Sequence, residues 1–194
     1  MNKTKKAIFE SAIRVFSTYG YSGATMDGIA AQAGLAKGTL YYHFNSKEEI
    51  FNYIIKEGMN LIKERIQEAV DEESDSLSKL KILIKVQLNM VYEKRDFFKV
   101  IMSQLWGQQS RQLELREVVN EFIKNIETYL ERAMNDGFIK KGEKSFMAYT
   151  IFGSLCSTAV YELINEDNTN INDIFESLTD YILRGIEIRK FNIF

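Results

Sequence analysis

Apolar residues recur along this chain at intervals of three and four, and no stretch alternates apolar and polar positions with a period of two. That spacing stacks side chains on one face of a helix, so the pattern predicts helices from end to end. Ile8, Ala12, Val15, Phe16 and Tyr19 mark a first helix, and Gly20 supplies its stop. Thr25 is placed to cap a short helix, with Asp27 favourable in its first turn. Ala33-Gly34-Leu35-Ala36 breaks that helix, Gly34 being free to take a positive φ, and a second short helix fits Lys37 to Phe44. Ser46 and Glu49 have the spacing of a capping box ahead of a long helix, whose apolar positions include Ile50, Ile54, Ile62, Ile66 and Val70. Past the polar run Asp71 to Ser76, further helical stretches fall at 77–94, 97–107, 112–136, 143–165 and 171–190. The fold class is all-α, with about nine helices.

Composition agrees and removes alternatives. There is no proline, against an ordinary usage of about 5%, which suits uninterrupted helices. One cysteine rules out an intrachain disulfide framework, and with a single histidine it rules out Cys/His zinc sites. Cys156 reads as a small buried hydrophobe. No window approaches 18 uncharged apolar residues, and no secretory leader pattern opens the chain, so the expectation is a cytoplasmic protein without a membrane partner. The formal charge of -2 hides an asymmetry. Residues 1–46 carry five basic side chains against two acidic ones, a net +3, and residues 47–194 carry 20 against 25, a net -5. A basic head on an acidic body points to an anionic partner for the head alone.

Two short helices joined by a tight glycine-containing turn, inside a basic three-helix head, make a helix-turn-helix. Ile29, Ala30 and Ala33 let the first short helix cross close to the second. Leu40 and Phe44, four apart, turn into the head's core. Lys37, Gly38, Thr39, Tyr41, Tyr42 and His43 are left for a face that fits a major groove. The run from Thr25 to Ile50, TMDGIAAQAGLAKGTLYYHFNSKEEI, resembles the DNA-binding signature of TetR-type bacterial transcriptional regulators. The likeness is nearly continuous over residues 5–51; beyond it only length and helical layout agree. It implies a homodimeric, ligand-responsive regulator, usually a repressor, that binds a palindromic operator and is released by a small-molecule inducer. It also implies roles. Thr25 and Lys47 fall where helix N-termini meet phosphates, Tyr42 and His43 where side chains clasp the backbone, and Lys37, Gly38, Thr39 and Tyr41 where base edges are approached. The chain departs from the pattern at Ala36, which can neither cap the recognition helix nor donate to a phosphate. Gly28 places a flexible residue in the first turn of the supporting helix.

This divides the chain into a DNA-binding domain at 1–46 and a ligand-binding, dimerising helical bundle at 47–194. The last two helices carry wide apolar faces, including Phe152, Leu155, Phe175, Leu178, Ile182 and Ile186, suited to a two-fold four-helix interface. Soft and aromatic residues gather in the middle helices. Met90, Tyr92, Met102, Trp106, Phe122, Tyr149 and Phe152 are the candidate lining of an inducer pocket, with Gln87, Asn89, Gln104 and Asn125 interspersed. No cofactor, metal site or catalytic residue is expected. Ser-His-Asp and Cys-His catalysis need a histidine, and the one present, His43, sits on the recognition helix. The alternatives are a ligand-independent dimeric regulator and, more remotely, a helical-bundle enzyme using carboxylates alone.

Overall fold

The computed structural model describes residues 1–164 and 171–186, and within these the side chains of 159, 162–163, 171–175 and 185–186 lie outside the described set. Nine helices and no β-sheet are present among the described residues: α1 (Lys3–Gly23), α2 (Met26–Gln32), α3 (Lys37–His43), α4 (Lys47–Asp71), α5 (Ser76–Glu93), α6 (Arg95–Gln104), α7 (Ser110–Asn135), α8 (Lys144–Ile164) and α9 (Ile171–Ile186). None is long and apolar enough to cross a membrane.

Helix ends are set by residues whose side chains replace missing backbone partners. Asn2 Oδ1 accepts from Lys5 N at the start of α1 (2.8 Å), and Thr25 Oγ1 accepts from Gly28 N at the start of α2 (3.0 Å). Asp75 accepts from Leu77 N and Ser78 N at the start of α5, and Glu143 from Ser145 N and Phe146 N at the start of α8. At α4 the capping box is altered. Ser46 Oγ accepts from Glu49 N (3.1 Å), but the Glu49 carboxylate reaches past Ser46 to the backbone N–H of Asn45 (2.7 Å). Gly20 does stop the regular part of α1, with φ of 67°, and one further turn follows it, closed by Ala24 N donating to Gly20 O (3.1 Å). Gly34 takes the positive φ the turn between α2 and α3 requires, at 66°.

The chain divides into two compact units. The first is residues 1–61 with 94–119, and the second is the described part of 62–93 with 120–194. In the first, Ile8, Ala12, Ile29, Leu40, Ile50, Phe51 and Ile54 are wholly buried, and α1 packs on both α2 and α6. Ser17 Oγ donates to Asp96 Oδ1 (2.7 Å), tying α1 to the start of α6. Phe97 of α6 lies so close over Gly58 of α4 that a β-carbon there would meet its ring. In the second, Leu80, Leu83, Ile84, Leu88, Ile126, Leu130 and Ala148 are wholly buried, and α5 packs on α8 and α9. Arg65 and Glu93 make a two-pronged surface ion pair between α4 and α5 (2.6 and 3.1 Å).

Candidate nucleic-acid interface

The helix-turn-helix is built from its buried side outward. Leu40 is wholly buried and Phe44 nearly so, and their i, i+4 spacing fixes the rotation of α3 about its axis. That rotation carries the opposite face into solvent. Tyr42 is 85% exposed, Tyr41 50%, and Lys37 and Gly38 are exposed as well. Thr39 and His43 are partly covered, and the His43 ring packs edge-on against Tyr42 at 5.2 Å between centroids. Ala36 opens the helix with no side-chain cap.

Several of these residues have features that bear on binding an anionic backbone. Thr25 accepts with its hydroxyl oxygen, so its O–H remains to donate outward. A β-carbon at Gly28 would come within 3.1 Å of that oxygen, so any larger residue there crowds the cap. A β-carbon at Gly38 would meet nothing. No internal contact explains a glycine there, although it costs the helix about 1 kcal/mol against alanine. Lys37 Nζ lies 2.5 Å from Asp27 Oδ2 at an exposed site, and that hydrogen bond raises its pKa above the ordinary value.

Lys47 also has partners within the head unit. Its ammonium turns back on the end of α1, donating to Tyr21 O (2.7 Å) and Ala24 O (2.8 Å), with Ser22 O at 3.4 Å. It also lies 4.6 Å from the centre of the Tyr21 ring. The guanidinium of Arg111 sits 3.8 Å from the same ring. Partial burial raises the pKa of the Tyr21 phenol, with Arg111 opposing. Sequence reasoning missed this junction because its partners are separated by 26 and 90 positions.

The candidate pocket residues are divided between the units. Met102 and Trp106 belong to the first; Met90, Tyr92, Phe122, Tyr149 and Phe152 belong to the second. Trp106 is 78% exposed, on a loop that Gln112 closes by accepting from Gln109 N and donating to Trp106 O (3.0 Å each). Tyr149 is half exposed and Met90 is buried. Phe122 and Phe152 meet edge-on at 6.4 Å. Of the candidate dimer residues, Leu155 is buried within its own chain, Phe152, Leu178 and Ile182 are half-buried, and the side chains of Phe175 and Ile186 lie outside the described residues. Among the described side chains of α8 and α9, Phe146, Tyr149, Val160, Tyr161, Ile164 and Tyr181 are exposed apolar or aromatic ones. Cys156 is partly buried, which raises its thiol pKa. No group of acidic, histidine or cysteine side chains among the described residues is arranged to hold a metal.

Comparison with known proteins decides the family. The model of the bacterial regulatory proteins of the tetR family matches residues 8–54, and the model of the YsiA-like protein C-terminal region matches residues 55–185. The chain belongs to the tetR family of transcriptional regulators. This regulator is 30% identical to the fatty acid metabolism regulator protein of Bacillus subtilis over 92% of its own length and 93% of that protein's. A solved Clostridium perfringens structure, described as a candidate fatty acid metabolism regulator, is 46% identical with a TM-score of 0.87, over 94% of this chain and 100% of that one. Bacillus subtilis FadR, solved with stearoyl-CoA, shares the fold at 23% identity and a TM-score of 0.83, over 94% of this chain and 99% of that one. The all-helical fold and the role as a DNA-binding regulator rather than an enzyme follow from the family.

Proposed function

We propose that this tetR-family regulator acts in the cytoplasm as a homodimeric repressor of genes of fatty acid metabolism. It binds a palindromic operator and releases it on binding a long-chain acyl-CoA. The observation that carries the DNA-binding part is α3, anchored by Leu40 and Phe44 and presenting Tyr41, Tyr42, Lys37 and the bare backbone of Gly38 to solvent. In this reading Thr25, Tyr42 and His43 hold phosphates while Lys37, Gly38, Thr39 and Tyr41 approach base edges. Such a split gives affinity from the backbone and sequence preference from few contacts. The exposed aromatic and aliphatic residues of α8 and α9 supply the dimer surface, which sets two recognition helices against the two halves of a palindrome. The ligand class is taken from the relatives' fatty acid role and from stearoyl-CoA in FadR.

Release requires the ligand to bind the two conformations with different affinity. The helix α4 begins beside α3 and continues into the second unit without a break, so it is the element a body ligand would have to bias. The test is titration of a palindromic duplex from the gene's own upstream region at fixed salt, with and without stearoyl-CoA. Preferential binding over random duplex, reversed by the thioester, is expected. Equal affinity for both duplexes, or no response to any acyl-CoA, overturns the corresponding half of the reading.

A further inference from the structure

In the second unit, Gln87 of α5 is 2% exposed, and neither its Nε2 nor its Oε1 has a hydrogen-bond partner among the described residues. Leu83, Ile84, Met90 and Val91, three and four positions away along the helix, and Leu80, two turns back, are each at most 5% exposed. The amide therefore sits within a buried apolar stripe. Enclosing it there without a partner is costly, and folded proteins rarely do so. Leucine or methionine would fill a similar volume without that cost. A buried water needs two to four polar partners, and Leu83, Ile84, Met90 and Val91, on the same face of α5, offer none.

We infer that Gln87 is the polar recognition group for the regulator's ligand, one that selects a coenzyme A thioester over the free fatty acid. This rests on the acyl-CoA reading and narrows it. A primary amide both donates and accepts. It is fully satisfied by a ligand that offers an acceptor oxygen and an N–H or O–H donor together beside an apolar chain. An acyl-CoA has both, in its thioester carbonyl and the amides of its pantetheine arm. A fatty carboxylate offers acceptors only, so Oε1 would stay unpaired and a charge would enter an apolar stripe. A site built around such a hydrogen bond rejects analogues that lack it far more strongly than an apolar pocket rejects a missing methylene.

The experiment is calorimetric titration of the full-length dimer with stearoyl-CoA and with stearate, for the wild type, Gln87→Leu and the unbranched Gln87→Met, with thermal melts of each free protein. Both variants should melt no lower than the wild type, because they remove an unpaired buried amide. Both should lose about tenfold or more in stearoyl-CoA affinity, while stearate binding stays within about twofold or improves. Unchanged stearoyl-CoA affinity in a folded variant overturns the role of Gln87, as does a lower melting temperature in both variants, which would mean the amide is already paired in the free protein. A wild type that binds no stearoyl-CoA overturns the ligand class itself, and the assignment of Gln87 with it.

Discussion

Replacing Lys47 with methionine separates two accounts of the head. Methionine keeps the length of the stem and removes the ammonium. In the structure that ammonium makes two short charge-assisted bonds, to Tyr21 O (2.7 Å) and Ala24 O (2.8 Å), and a longer one to Ser22 O (3.4 Å). Hydrogen bonds to a charged group contribute roughly 1.5–3 kcal/mol each. The site is partly open to water, which re-solvates the freed carbonyls, so about half of the total for the two short bonds survives as a net loss. Losing the cation from the Tyr21 ring adds about 0.5 kcal/mol. The expected cost is about 2–3 kcal/mol, or roughly 4–12 °C in Tm for a chain of this size, read by far-UV circular dichroism in the absence of DNA. If Lys47 instead spends its charge on an operator phosphate, the Tm stays put and the slope of log K against log salt falls by about 0.9 per protomer. An unchanged Tm with a shallower salt slope refutes the reading of Lys47 as the strut that holds the end of α1 to α4.

Gly38→Ala should raise the Tm slightly, since the new β-carbon meets nothing and helix propensity improves by about 1 kcal/mol, yet lower operator affinity in a gel-shift titration; a variant that binds as well as the wild type removes the case for close backbone approach at that position. Gly58→Ala should destabilise in a denaturant titration by about 1–2 kcal/mol. The β-carbon would fall 2.5 Å from Phe97 Cε2 and 2.9 Å from Cε1, and overpacking outweighs the helix gain; adding Phe97→Leu should recover part of the loss, and no recovery would place the cost elsewhere. Hydrogen bonds from the Ser78 hydroxyl and backbone hold the Asp75 carboxyl below its ordinary value of 3.8. Its contribution is therefore full above pH 3.8 and is lost as the pH falls further, so Asp75→Ala should be less stable than wild type at neutral pH and converge with it in acid melts.

How much of this was legible in the sequence depends on the range over which each interaction acts. Helix periodicity and caps are local, so α5 (Ser76–Glu93) and α8 (Lys144–Ile164) fall within a residue or so of the spans 77–94 and 143–165 read from the pattern. The helix-turn-helix was legible for the same reason: Gly34 must turn there, and Leu40 and Phe44 must share a face. Periodicity marks a side chain as apolar and on a given face without saying what covers it. Hence Trp106, read as a pocket residue from its chemistry, is exposed, and Leu155, read as an interface residue, is buried inside its own chain. Lys47 shows the same gap for a charge, because its acceptors are backbone carbonyls more than 20 positions away that no side-chain pattern records. Gln87 was visible as one polar residue among several, and only its burial sets it apart.

The electrostatics of the head bear on how a regulator of this charge can be selective. The head carries only a net +3; Lys37 shares its charge with Asp27 at an open surface site, and Lys47, just past the head, donates to the end of α1. Non-specific affinity comes almost wholly from cations that displace counterions; the head has five to offer, and a body of net -5 is repelled by the same phosphates. In the proposed readout, groups that need correct geometry then carry more of the weight: the hydroxyls of Thr25, Thr39, Tyr41 and Tyr42 and the open backbone at Gly38. Hydroxyls and backbone N–H groups reach phosphate or base only when α3 is seated in the groove, and Leu40 and Phe44 fix that seating by holding the helix at one rotation. A ligand that shifts α3 by a small amount would thus cost this regulator more of its operator affinity than it would cost one anchored by many mobile lysines, whose attraction tolerates misalignment.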